Sequence, residues 1–239
     1  MASLSGQTVL VTGASGGVGE AITRRLAEEG ATVCLSGRNR KRLAEIAAEL
    51  PKKRARCYPA DLTVESEIEE AVKKILVENQ RLDALIHCAA IIMLEPVATA
   101  PVRDFEKQFQ TNVAGPFRLT QLLLPALTSA RGQIVFINSS AGRDARASLS
   151  QYAATKHALR ALADSLRDEC NQFGVRVCSL FLGSTATSMQ AAVRAQQQRT
   201  YEPERLIQPA DVAAVVGSVL ALPRTAEVTD LMMRPTEKA

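Results

Sequence analysis

Tyr152 and Lys156 stand four residues apart, a spacing that puts both side chains on one face of a helix, one turn from each other. A phenol with an ordinary pKa of about 10 exchanges protons poorly at neutral pH. A neighbouring ammonium in a partly desolvated cleft favours the phenolate and is expected to lower that value. Ser139 lies thirteen positions before the tyrosine, just past the apolar run 133–137. From there its hydroxyl can hydrogen-bond a carbonyl oxygen as negative charge develops on it. Asn112 falls inside a helical stretch, an unfavourable place for an amide unless its side chain has a task or faces solvent.

A second group of residues suits phosphate. Thr12-Gly13-Ala14-Ser15-Gly16-Gly17-Val18-Gly19 follows a β-branched run and precedes an amphipathic stretch. Glycines there allow a tight turn and close approach of backbone to a pyrophosphate, which the free N–H groups of the helix start then meet. A plain strand-to-helix turn uses the same residues, and the placement between strand and helix favours the nucleotide reading. After the next strand the chain reads Leu35-Ser36-Gly37-Arg38-Asn39-Arg40. An acid here would bond a ribose 2′-hydroxyl. The guanidinium of Arg38 instead suits a 2′-phosphate, which selects NADP(H), although an arginine at a solvated helix start reads the same way. Arg40, Lys41 and Arg42 are expected to be a solvated turn of helix.

These residues need a scaffold, and the periodicity supplies one. Short aliphatic runs at 8–12, 32–35, 55–58, 84–88, 133–137, 175–181 and 228–232 alternate with helical patterns at 21–29, 42–50, 65–77, 105–127, 152–173 and 212–222. That alternation predicts a single doubly wound α/β (Rossmann) domain over 1–239, a seven-stranded mainly parallel sheet with helices on both faces. Residues 183–208, irregular and weakly periodic, are expected to form a substrate lid, beside the plainer reading of a helix-capped surface excursion. Aromatics are 4% and Trp is absent, so Val, Ile, Leu and Ala must fill the core, as suits parallel strands between helices. Lys and Arg number 29 against 25 Asp and Glu, a net +4, which gives no electrostatic reason to expect nucleic acid. The five cysteines show no metal-ligand spacing, and an odd count fits free thiols in a reducing compartment. With no secretory pattern and no apolar run of about 20 residues, the expectation is a cytoplasmic protein with neither a metal nor a membrane span.

In this order and over essentially the whole chain, the sequence resembles the short-chain dehydrogenase/reductase family. The matches are T-G-x-x-x-G-x-G at Thr12 to Gly19, the pair Asp61-Leu62 after the third strand, Asn112, Ser139, and Tyr152-x-x-x-Lys156. The resemblance implies a Tyr152 general acid/base and a Lys156 that lowers its pKa and holds the nicotinamide ribose. It implies that Ser139 orients the carbonyl and that Asn112 supports a proton-relay water. It places the dinucleotide on Gly13, Ser15, Gly17, Val18 and Gly19 of the turn, with Arg38, Asp61, Leu62 and Ala89 along the adenosine, Asp61 accepting from the adenine amino group. Gly183 and Thr187 would lie near the nicotinamide amide. It further implies a homodimer or homotetramer packed through the helices at 105–127 and 152–173, where Phe109, Phe117, Leu159 and Leu166 are compatible with such a face and equally with one turned to the sheet.

Three departures stand out. The family's usual N-N-A-G reads His87-Cys88-Ala89-Ala90, so bracing of the central sheet must come from elsewhere, and His87 is expected to be a satisfied buried histidine. The family's P-G after the sixth strand reads Leu182-Gly183. The basic residue that often precedes Gly17 in NADP users is Gly16. The reaction expected is reversible hydride transfer to or from a small carbonyl or alcohol. The rival from another class is a catalytically silent NADP(H)-binding sensor or interaction module; a methyltransferase and a nucleic-acid binder are weaker. Arg143, Asp144 and Arg146, with Arg194, Arg199 and Arg205, leave an anionic substrate open beside the plainer reading of solvent-facing arginines.

Overall fold

The computed structural model describes residues 4–52 and 54–237. Its strands are β1 (Thr8–Thr12), β2 (Thr32–Ser36), β3 (Ala55–Cys57), β4 (Ala84–His87), β5 (Gln133–Ser139), β6 (Arg176–Leu182) and β7 (Asp230–Met233). The helices are α1 (Gly17–Glu28), α2 (Arg40–Glu49), α3 (Glu65–Glu78), α4 (Val102–Phe109), α5 (Gly115–Ser129), α6 (Ser150–Cys170), α7 (Ser188–Gln196) and α8 (Pro209–Ala221). The strands form one sheet in the order β3-β2-β1-β4-β5-β6-β7, and every pairing is parallel.

Side-chain alternation explains why helices cover both faces. Val9 and Val11 of β1 and Val135 of β5 join a core with Ile22 and Leu26 of α1, Ile46 of α2 and Val216 of α8. The residues between them, Leu10 and Phe136, join a second core with Ile75 of α3, Leu123 of α5 and Leu159 of α6. Aliphatic residues fill both. Leu159 and Leu166 belong to this second core, so of the two faces open to them they take the one toward the sheet; Phe109 and Phe117 are 40% and 51% exposed.

Two elements differ from the sequence expectation. The predicted helix 105–127 runs on as α4 and α5, but Gln110–Ala114 widens into a π-helical turn, which turns Asn112 inward. Residues 183–208 are not irregular. They carry α7, whose N-cap Thr187 accepts from Gln190 N at 3.2 Å, and the segment is pinned by a parallel bridge between Thr185 and Ile207. Periodicity missed α7 because its buried positions are sparse: Arg194 is the buried residue of that helix. All five cysteines are free. Among the described residues no helix is long and apolar enough to cross a membrane, and no cluster of ligating side chains could hold a metal.

Candidate functional site

The strand order reverses between β1 and β4, and the crevice beyond the carboxyl ends of the strands at such a point is where open α/β sheets bind ligands. A cleft of about 690 Å³ opens there, and every cofactor-contact residue expected from the sequence lines it.

The glycine turn forms one wall. Gly13 has φ +65°, and a Cβ on it would lie 2.8 Å from the backbone of Ala89. A Cβ on Gly19 would lie 2.2 Å from Gly13 O, so helix and turn can meet this closely only through glycine. Gly16 caps α1 and donates to Gly13 O at 2.9 Å. The first amides of a helix have no intrahelical acceptor, and here Gly17, Val18 and Gly19 line the cleft. The result is an anion cradle with a partial positive charge behind it. Gly19→Ala is therefore expected to weaken NADPH binding roughly 10- to 100-fold, from about 1–3 kcal/mol of overpacking. Fluorescence titration checks it; affinity within twofold of the parent would show that the phosphates bind elsewhere.

Thr12 does what the sequence departure left open. Its Oγ1 donates to Ile86 O at 3.3 Å and accepts from Cys88 N at 3.1 Å and Ala89 N at 3.2 Å, tying β1 to the end of β4. His87 ties β4 to the helix layer: Nε2 is 2.8 Å from Thr120 Oγ1 of α5, and the ring stacks on Phe136 at 4.8 Å. Its Nδ1 has no partner among the described residues, so the expected satisfied histidine is half satisfied. Burial pushes its pKa down to about 3.

At the far rim, Arg38 Nη1 lies 4.0 Å from Asp61 Oδ2, and the arginine side chain is 61% exposed. An ion pair this long and wet contributes little, so the guanidinium can take a stronger anion. Asp61 Oδ1 is held by Thr63 N at 2.9 Å and Thr63 Oγ1 at 2.8 Å.

Ser139, Tyr152 and Lys156 meet in the middle of the cleft. Lys156 is 2% exposed; its Nζ donates to Ile137 O at 3.2 Å and lies 5.7 Å from the Tyr152 ring centroid. Asn138, which sequence reasoning passed over, fixes this group. Its Oδ1 accepts from Ser139 N at 2.7 Å and its Nδ2 donates to Lys156 O at 3.2 Å, joining the end of β5 to α6. The proton chemistry corrects one expectation. Burial pushes the Tyr152 phenol up to about 12, against the hydrogen bond from Ser139 that favours the phenolate. Burial also pushes Lys156 down to about 8. Desolvation is the largest cause of both shifts.

Asn112 is the one predicted catalytic residue that does not line the cleft. Its Oδ1 accepts from Ile91 N at 2.8 Å, while Nδ2 donates to Ile91 O at 2.9 Å and Thr155 Oγ1 at 3.1 Å. Thr155 Oγ1 in turn donates to Tyr152 O at 2.8 Å. The amide ties the loop after β4 to the helix that carries the tyrosine. Gly183, Thr187 and Leu62 line the cleft, and a Cβ on Gly17 would meet Thr187 Cγ2 at 3.1 Å, so α7 begins against the glycine turn.

Comparison with known proteins gives a consistent result. The short chain dehydrogenase family model matches residues 7–198. An uncharacterized oxidoreductase of Staphylococcus aureus is 30% identical over 236 residues, which cover 98% of this chain and all of that one. Among solved structures, an alcohol dehydrogenase from the archaeon Thermococcus sibiricus, complexed with 5-hydroxy-NADP, superposes with TM-score 0.89 at 26% identity, covering 98% of each chain. The closed form of a serine dehydrogenase complexed with NADP+ has TM-score 0.89 at 30% identity, covering 98% of this chain and 96% of the other.

Proposed function

The chain belongs to the short-chain dehydrogenase family, and from that premise we propose reversible hydride transfer between NADP(H) and a small carbonyl or alcohol, with Tyr152 as general acid/base. The observation that carries this reading is one cleft lined both by a turn that only glycine can form and by Ser139, Tyr152 and Lys156. The dinucleotides in the Thermococcus sibiricus alcohol dehydrogenase and the serine dehydrogenase support the NADP form. The cradle fits such a group: the free amides of α1 and Arg38 suit its phosphates, and Lys156 its nicotinamide ribose.

When bound, the reduced dinucleotide supplies a hydride, with its electron pair, to the carbonyl carbon. Ser139 positions the carbonyl oxygen by hydrogen bonding. Tyr152 gives that oxygen its proton, and the phenolate left behind is stabilised by the Ser139 hydroxyl and the Lys156 ammonium. Bulk water then restores the phenol. A phenol raised to about 12 is protonated at neutral pH, the form that carbonyl reduction uses. Asn112 and Asn138 act as positioning residues, holding the tyrosine helix against the loop after β4 and the end of β5. Residues 183–208 serve as a lid, anchored at Thr185 and Ile207, and the exposed Phe109 and Phe117 are the apolar residues on offer to a homo-oligomer contact.

The decisive experiment follows NADPH oxidation against a panel of small ketones and aldehydes. Turnover supports the enzyme; tight NADPH binding with no turnover on any of them favours the silent sensor. Arg38→Ala is expected to raise Kd for NADPH about 10- to 100-fold and Kd for NADH far less, because a charge-assisted contact to the 2′-phosphate contributes about 1.5–3 kcal/mol. Equal losses for both dinucleotides would remove Arg38 from the 2′-phosphate site.

A further inference from the structure

Arg194 on α7 is 6% exposed and lines the cleft, yet among the described residues its guanidinium has no hydrogen bond and no ion pair. Its nitrogens are not among the sealed, unpartnered atoms of the fold, so the guanidinium faces the water of the cleft and is placed to meet an anion that enters it. The sequence offered several arginines for such a role, and the structure sorts them. Arg143 lies 5.6 Å from the Phe181 ring and is not in the cleft wall. Arg205 is taken by Glu202 at 2.9 Å and Glu237 at 3.0 Å. Arg146, Arg194 and Arg199 line the cleft.

Their place along it separates substrate from dinucleotide. α7 starts against the glycine turn through Thr187 and ends at the loop after β4, where Gln196 Nε2 donates to Leu94 O at 2.8 Å. Arg194 comes seven residues after Thr187, about 10 Å along the helix axis, and so sits at the end remote from the phosphates. Glu95 N donates to Ser148 O at 3.1 Å, joining that loop to the one that carries Arg146. Tyr152 packs against Ile92 and Leu149 from the same two loops. At this end of the cleft the opposing acid is Asp144 on the exposed rim, while Asp61 stands at the other.

We propose that the substrate carries a carboxylate, an oxo acid or hydroxy acid, and that Arg194 binds it while Arg146 sets a positive field at the mouth. This rests on the hydride-transfer reading and names its substrate class. The test measures NADPH-dependent reduction of 2-, 3- and 4-oxo acids, each beside its methyl ester. The acid is expected to exceed its ester in kcat/KM at least about tenfold at one chain length. Arg194→Gln should shrink that ratio about 10- to 100-fold, mainly through KM. Arg194→Lys should retain part of it, and Kd for NADPH should stay within about threefold in both.

Calorimetry on the NADP+-saturated protein gives a second readout, in which butanoate should bind, butanamide should not, and Arg194→Gln should abolish the difference. Esters reduced as well as acids would overturn the carboxylate while leaving hydride transfer standing. An Arg194→Gln loss in NADPH affinity as large as its rise in KM would assign the arginine to a dinucleotide phosphate instead. No reduction of any carbonyl would sink the parent reading, and calorimetry would then decide the carboxylate site alone: equal or absent binding of the two probes overturns it.

Discussion

Tyr152→Phe is expected to lower kcat for carbonyl reduction roughly 10²- to 10⁴-fold while Kd for NADPH moves less than about threefold. The substitution removes one oxygen and keeps the ring, which packs with Ala141, Ala153, Ile92 and Leu149. Ser139 loses its phenolic partner but still accepts from Ala141 N at 3.2 Å, so the wall of the cleft stays in place. The loss is then a loss of the proton donor and not of the site. Direction matters as well. With the phenol pushed up to about 12 by burial, reduction finds its acid protonated through the neutral range. Alcohol oxidation needs the phenolate and should slow as pH falls, about tenfold per unit while proton loss limits the rate. Stopped-flow reduction and oxidation from pH 6 to 9 test both halves. A phenylalanine variant that kept most of its activity would remove Tyr152 from the chemistry.

The scaffold was legible where periodicity is strong. Parallel strands buried on both faces need continuous aliphatic runs, and residues 8–12 and 133–137 lie within observed strands. The site was legible because its chemistry constrains local sequence. Gly19 has no alternative at 2.2 Å from a carbonyl, and Tyr152 and Lys156 must share a helix face. The supports were harder to read, since each is an ordinary polar residue whose task depends on a distant strand. Thr12 meets residues 74 to 77 positions away, and Asn138 meets Lys156 eighteen positions away. Asn112 was noticed because an amide inside a helix needs a task, and its hydrogen bonds to Ile91 and Thr155 are that task. Its awkward place in a helix is relieved by a π turn, and its amide braces two elements behind the cleft. The sign of the Tyr152 shift was also out of reach, because spacing shows the nearness of an ammonium but not how dry the pair is.

His87 gives the largest expected effect on stability. Its ordinary pKa of 6.5 is pushed down to about 3 by complete burial. Between those values the unfolded chain takes up a proton that the folded chain refuses. Stability contributed by the neutral ring is therefore full above pH 6.5 and falls as pH drops, by about 1.4 kcal/mol per unit. By pH 4.5 the cost approaches 2–3 kcal/mol on the same linkage. An orphan buried acceptor is less rare than an orphan donor, so the single proton belongs on Nε2, facing Thr120 Oγ1. Nδ1 then stays a bare lone pair with nothing to stabilise a second proton. His87→Asn removes the titration. It also loses the stack on Phe136 and leaves a small void, at about 1–3 kcal/mol. At pH 7.5 the variant is thus the less stable protein, and on acidification its deficit closes by about one proton's linkage. Urea midpoints of both proteins at half-unit steps from pH 7.5 to 4.5 measure that difference, and the carboxylates common to both cancel. Parallel curves would mean that the ring protonates inside the fold.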